Sequence, residues 1–188
     1  MPFLLHLMRH GEPELAGRLL GHTDCAGTPA GIGACFARAS GLEVEHIVTS
    51  DLRRAIACAA GAAALAGITP VADPRWRELN FGAWDGLTAD EVDSAALGRF
   101  WDDPDANPPP GGERWSALVA RVADAIEELA ERPTLVVTHA GAIRATLAVL
   151  CGFEQRQLWA FDLPYAAVLT LRIWREPTPT AQIVRLSP

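Results

Sequence analysis

The chain has 188 residues, 49% of them hydrophobic, with 16 Arg, no Lys, 23 acidic residues and a formal net charge of −7. A length close to one typical domain, with enough apolar residues for its core, predicts a single folded domain over 1–188 and excludes a disordered chain. The missing Lys excludes a Walker phosphate-binding lysine, a Schiff base and a Ser-x-x-Lys nucleophile, and the acidic balance argues against general affinity for nucleic acid.

The opening MPFLLHLMRHGE is interrupted by His6, has no basic leader or cleavage site, and no membrane-length apolar run follows it. The expectation is a soluble, cytoplasmic protein that does not enter a membrane. Cys25, Cys35, Cys58 and Cys151 lack metal-ligand spacing and read as small buried hydrophobes. Phe3 to Met8 predicts a short buried strand running into Arg9-His10-Gly11-Glu12, and Gly31 to Ala39 suits a helix. Glu45 to Thr49 predicts a second strand, after which Ser50 and Asp51 are expected to cap a helix from Leu52 to about Leu65.

Ile68 to Ala72 is a third strand candidate, Asp73 to Gly86 an aromatic and charged loop, and Asp102 to Gly112 (DDPDANPPPGG) a connector without regular structure. From Glu113 to Ala130 the positions Leu118, Val122, Ala125, Ile126 and Leu129 recur at helical spacing. Thr134 to Thr138 reads as a strand covered on both faces, followed by His139, Gly141 and a helix to about Leu150. Ala167 to Trp174 and Ala181 to Leu186 read as two strands around a Pro177 and Pro179 turn, an antiparallel hairpin at the sheet edge.

Strand alternating with helix predicts a three-layer α/β/α sandwich on a mostly parallel sheet with an antiparallel edge, where ligands sit at the carboxyl ends of the parallel strands. Those ends carry Arg9 and His10, then Ser50 with Arg54 one turn on, and then His139. Two guanidinium forks suit a tetrahedral oxyanion, and an imidazole between cations stays neutral with a lone pair for attack on phosphorus. Each residue also has a plainer reading. Arg9 and Arg54 could be surface ion-pair partners, and Glu78 could pair with Arg75 or Arg77. His6 reads as a core histidine, His46 as solvent-facing, and Trp84, Trp101 and Trp115 as packing.

Arg9-His10-Gly11 resembles the R-H-G signature of the histidine phosphatase superfamily, also called phosphoglycerate mutase-like. Further blocks follow in family order: Gly17-Arg18 and Gly21-His22-Thr23-Asp24, Ser50 to Ala55 (SDLRRA), Glu78 to Gly86 (ELNFGAWDG), and Thr138-His139-Ala140-Gly141. The resemblance implies that His10 is the phosphorylated nucleophile, that Arg9, Arg54 and His139 hold the phosphoryl oxygens, and that Glu78 is the acid/base. It implies a histidine acid-type phosphatase acting on a small phosphate ester without metal or other cofactor. Arg18, His22 and Thr23 are expected substrate contacts, and Arg144 is a further candidate without a definite role.

Mutases of the family carry a long insertion with paired arginines, whereas Arg99 is the sole Arg between Gly86 and Gly111. The short chain is most similar to small phosphatases that include α-ribazole-5'-phosphate phosphatase. Pro13, Ala16, Cys58, Asp85 and Ala140 depart from the family pattern, and Ala16 removes a hydrogen-bond donor. Rival readings are a mutase, a non-catalytic phospholigand-binding domain, and a metal hydrolase built on His6, His10 and an Asp. Oligomeric state is not legible.

Overall fold

A computed structural model describes residues 1–176 and 178–188. Strands β1 (Phe3–Arg9), β2 (His46–Thr49), β3 (Val71–Ala72), β4 (Thr134–Thr138), β5 (Val168–Trp174) and β6 (Thr180–Ser187) form one sheet in the order β3-β2-β4-β1-β5-β6. β3, β2, β4 and β1 run parallel, while β5 and β6 form the antiparallel edge. Pro177 lies outside the described residues, so the expected turn is described only from Pro179.

The helices are α1 (Pro29–Ala39), α2 (Arg53–Ala66), α3 (Ser94–Asp102), α4 (Trp115–Glu127), α5 (Ala140–Cys151) and α6 (Gln155–Leu158). The pleat sends alternate strand residues to opposite faces. Leu5, Leu7, Val136, Leu169 and Leu171 pack with Leu118, Val122 and Ile126 of α4 and Ile143 and Leu147 of α5. Met8, Ile47, Leu135 and Val137 face the small side chains Cys35 of α1 and Ala55, Cys58, Ala59 and Ala62 of α2. Each fully buried Leu or Ile contributes about 1.5–3 kcal/mol through area removed from water, and the two clusters together make the sandwich.

Three expectations change. The third strand is reduced to Val71–Ala72, because the Ile68 N–H is taken by Ala63 O at the end of α2 and Pro70 has no N–H to offer. Ser50 and Asp51 do not cap α2. Leu52 occupies the cap position, the Arg53 N–H donates to Asp24 Oδ1 at 2.8 Å from a distant loop, and Asp51 instead pairs with Arg77 at 2.5 Å. Between the expected loop and connector lies α3, started by Asp93, which accepts from the Ala96 N–H at 2.8 Å. Among the described residues, no helix is long and apolar enough to cross a membrane.

Candidate active site

Sheet register brings the chemistry together. Arg9 is level with Thr138, and Thr49 with Val137, so His10, Ser50 and His139 are the first residues beyond three adjacent strand ends. The His10 N–H donates to Thr138 O at 2.8 Å and the Ser50 N–H to Val137 O at 2.9 Å, which extends the ladder one step past the strands. The rings of His10 and His139 then meet edge to face, 5.0 Å between centroids.

His10 Nδ1 lies 2.7 Å from Gly11 O. A carbonyl only accepts, so Nδ1 carries the proton and Nε2 keeps its lone pair. Burial, reinforced by Arg54 and Arg9, holds the ring's pKa down at about 3, which leaves it neutral at pH 7. Gly11 is required here by contact: a Cβ would lie 2.0 Å from Gly31 O, so only glycine lets this turn rest on the start of α1. The Gly11 N–H donates to Cys58 Sγ at 3.3 Å, which gives the departure at Cys58 a structural task.

His139 is completely buried at the start of α5, with Nε2 2.9 Å from Ser50 Oγ. Burial lowers its pKa well below the ordinary value, and Arg54 and His10 push the same way. Arg54 is also fully covered. Its Nη1 donates to Thr23 O at 2.8 Å, and its Nη2 to Leu20 O at 3.0 Å and Gly21 O at 2.8 Å. Asp85 holds that loop by accepting from the His22 N–H at 2.7 Å and the Thr23 N–H at 2.9 Å.

Arg9 donates to Leu163 O at 2.6 Å and lies over the Tyr165 ring at 4.1 Å, while Tyr165 stands 5.6 Å from the His10 ring. Ala166 beside it has φ of 63°, a left-handed strain held by its N–H donating to His10 O at 3.1 Å. Arg9 Nε, Arg54 Nε and His139 Nδ1 are buried without a protein partner. Buried polar nitrogens ordinarily have partners, and a set of them around one neutral imidazole suits an oxyanion.

Glu78 pairs with neither Arg75 nor Arg77, which bind Asp73 and Glu128, and Asp51, respectively. Its Oε1 accepts from the Leu79 N–H at 2.8 Å and its Oε2 from the Gly141 N–H at 3.0 Å. A Cβ at Gly141 would stand 1.9 Å from Oε1, so that glycine admits the carboxylate to the start of α5. From behind, Arg121 Nη2 donates to Glu78 O at 2.9 Å, and His22 Nε2 lies 3.2 Å from the same carbonyl.

A cleft of about 200 Å³ is lined by Arg9, His10, Glu78, Arg18 and Arg144 among others. Arg54 and His139 do not themselves line it: both are wholly covered, His139 with its ring against that of His10 at the floor. Of the expected substrate contacts, only Arg18 lines the cleft. His22 supports Glu78 from outside it, and Thr23 offers its carbonyl to Arg54. His6 is a buried core residue with Nδ1 3.0 Å from Thr170 Oγ1, while His46 is half-buried rather than turned to solvent. Among the described residues, no three or more His, Cys, Asp or Glu side chains are grouped to hold a metal ion.

Trp84 packs in the core and Trp115 packs against it, as expected, although Trp115 also lines the cleft, as does Trp101, which stands outside both core clusters. Tyr165 and Arg121 escaped the sequence reading. Tyr165 is the chain's single tyrosine, but only the antiparallel pairing of β1 with β5 reveals that it returns to the end of β1.

Residues 5–184 match the model of the histidine phosphatase superfamily (branch 1). The chain belongs to this superfamily. It is 33% identical over 166 residues to a glucosyl-3-phosphoglycerate phosphatase of Mycolicibacterium vanbaalenii, covering 79% of this chain and 74% of that protein. It is 30% identical over 169 residues to "Probable phosphoglycerate mutase GpmB" of Erwinia tasmaniensis, with coverage of 79% and 74%. A mycobacterial glucosyl-3-phosphoglycerate phosphatase solved with VO3 superimposes with a TM-score of 0.87 at 27% identity, covering 97% of this chain and 98% of that one. An Escherichia coli structure provisionally described as an α-ribazole-5'-P phosphatase has a TM-score of 0.82 over 96% and 95% of the chains; at 23% identity it shows the fold alone.

Proposed function

We propose that this histidine phosphatase homologue is a cytoplasmic phosphomonoester hydrolase of small metabolites, working as one domain through a phosphohistidine at His10 and without a metal. The observation that carries the reading is the buried, neutral His10 ring, proton on Nδ1 and lone pair on Nε2, between two guanidiniums and a second imidazole. Nε2 attacks phosphorus in line, and the phosphorus–ester oxygen bond breaks. Glu78 gives its proton to the leaving oxygen, and Arg9, Arg54 and His139 hold the equatorial oxygens. Gly11 O stabilises the ring's positive charge while it carries the phosphoryl group. Glu78, now a carboxylate, takes a proton from water as that water attacks the phosphorus, breaking the phosphorus–nitrogen bond and releasing phosphate. A His10 ring held neutral well below pH 7 supports the acid-type reading.

Trapping tests this directly. A ³²P-labelled ester should leave an acid-labile, base-stable adduct on His10, absent in His10→Ala; full turnover by that variant would overturn the proposal. Chelator treatment should leave the rate unchanged, and loss with EDTA that Zn²⁺ restores would transfer the chemistry to a metal. Similarity to GpmB favours a mutase as second reading. Incubating 3-phosphoglycerate with its bisphosphorylated form separates them: phosphate release supports the hydrolase, isomerisation without release the mutase. Glucosyl-3-phosphoglycerate and α-ribazole 5'-phosphate are the first metabolites to assay.

A further inference from the structure

Resting on the hydrolase reading, we infer that the mouth of the cleft is an aromatic subsite selecting phosphate esters whose leaving group carries a planar, apolar ring. The cleft that has His10 and Glu78 at its base is walled by Phe81, Trp101, Trp115 and Trp159. Trp101 and Trp159 remain 40% and 44% exposed, yet their rings meet edge to face at 5.2 Å from α3 and the end of α6. A single apolar side chain this exposed is ordinary, as at Phe36 and Leu65, but two indoles paired at the rim of a polar cavity form a contiguous apolar patch of the kind that marks a ligand surface. The pair is braced. Arg144 lies over the Trp159 ring at 4.5 Å, and Gln155 Nε2 donates to Trp101 O at 3.4 Å.

The wall's charges argue against an acidic leaving group. Arg18 donates to Gly86 O at 2.8 Å and faces Glu91 at 3.5 Å. Arg144 gives Nε to Leu158 O at 3.3 Å and Nη2 to Phe161 O at 3.2 Å, with one face on Trp159. Both cations already serve protein acceptors, so a carboxylate would have to compete for them, whereas a planar ring can lie against the exposed surface of the paired indoles without displacing any polar contact.

The test compares kcat/KM for 2-phenylethyl phosphate, ethyl phosphate and 3-phosphoglycerate. The two alkyl esters release similar primary alkoxides, so their ratio reads the mouth and not the demand on Glu78. Preference for the phenylethyl ester over either of the others should be about tenfold or more from ring burial. Trp101→Ala and Trp159→Ala should each cut the phenylethyl-to-ethyl ratio by about threefold or more, and Trp→Phe at either position should keep most of it. A wild-type ratio near one, or a preference for 3-phosphoglycerate, overturns the inference and leaves the hydrolase standing. Failure to turn over any ester would strike the hydrolase instead. The mouth is then read by calorimetry with unreactive 2-phenylethylphosphonate against ethylphosphonate, where equal affinities overturn it.

Discussion

The floor and the mouth of one cleft are built on opposite terms. At the floor, Arg54 and His139 are wholly covered and His10 is 5% exposed; distant carbonyls hold Arg54, the Ser50 hydroxyl holds His139, and the neighbouring Gly11 carbonyl holds His10. At the mouth, Trp101 and Trp159 stand in solvent on short helices, held by a stacked guanidinium and one weak amide bond. Preorganised, desolvated charge stabilises a transition state, whereas an exposed aromatic rim adjusts to what it contacts. On the proposed reading, reaction type and substrate choice lie in separate parts of the cleft, and substitutions in the two parts should fail differently.

The contrast is widest at His10. His10→Ala should lower kcat for p-nitrophenyl phosphate by about 10⁴-fold or more, as for loss of a covalent nucleophile, while Trp159→Ala stays within about tenfold. Comparable losses would erase the distinction. Next comes Arg54→Ala, with kcat/KM falling about 10²–10³-fold, the cost of one oxyanion donor. That variant also strands the carbonyls of Leu20, Gly21 and Thr23, so its urea midpoint should drop as well. A change in kcat/KM below threefold would place Arg54 outside the reaction.

Glu78 stands between the two regions. Glu78→Gln should slow ethyl phosphate by about 10²-fold or more, since an alkoxide leaves poorly without a proton, and slow p-nitrophenyl phosphate far less. Gly141→Ala reaches the same signature from the other side, because its Cβ would displace the carboxylate. Equal slowing of both esters in either variant would remove Glu78 from proton transfer.

Most of the floor was legible in the sequence because it is made at strand ends, and strands announce themselves by apolar runs such as Thr134 to Thr138. Parallel neighbours end together, so reading where they stop already predicts which residues meet. Contacts between side chains and the backbone of distant loops were not legible. The Asp24 cap on Arg53, and the roles of His22 and Thr23 behind Glu78 and Arg54, depend on loop paths that no local pattern encodes. The mouth was harder still. α3 and α6 are nine and four residues long, and an indole on either looks like packing until the partner ring is located.

The smallest effect concerns stability. The unfolded His10 ring titrates near its ordinary value of 6.5, but the folded ring stays neutral to about 3. As pH falls through 6.5 the unfolded chain binds a proton that the folded chain refuses, so stability is lost on acidification and is unaffected above pH 7. For His10 alone the loss between pH 7 and pH 5 is about 2 kcal/mol, and His139, shifted the same way, adds to it. Urea unfolding at the two pH values should show this fall in the wild type and in Trp159→Ala, whose substitution touches no titrating histidine. In His10→Ala the fall should shrink by His10's share. An unchanged fall in that variant would mean that water reaches the imidazole, and the floor would then lack the dry, fixed character that separates it from the mouth.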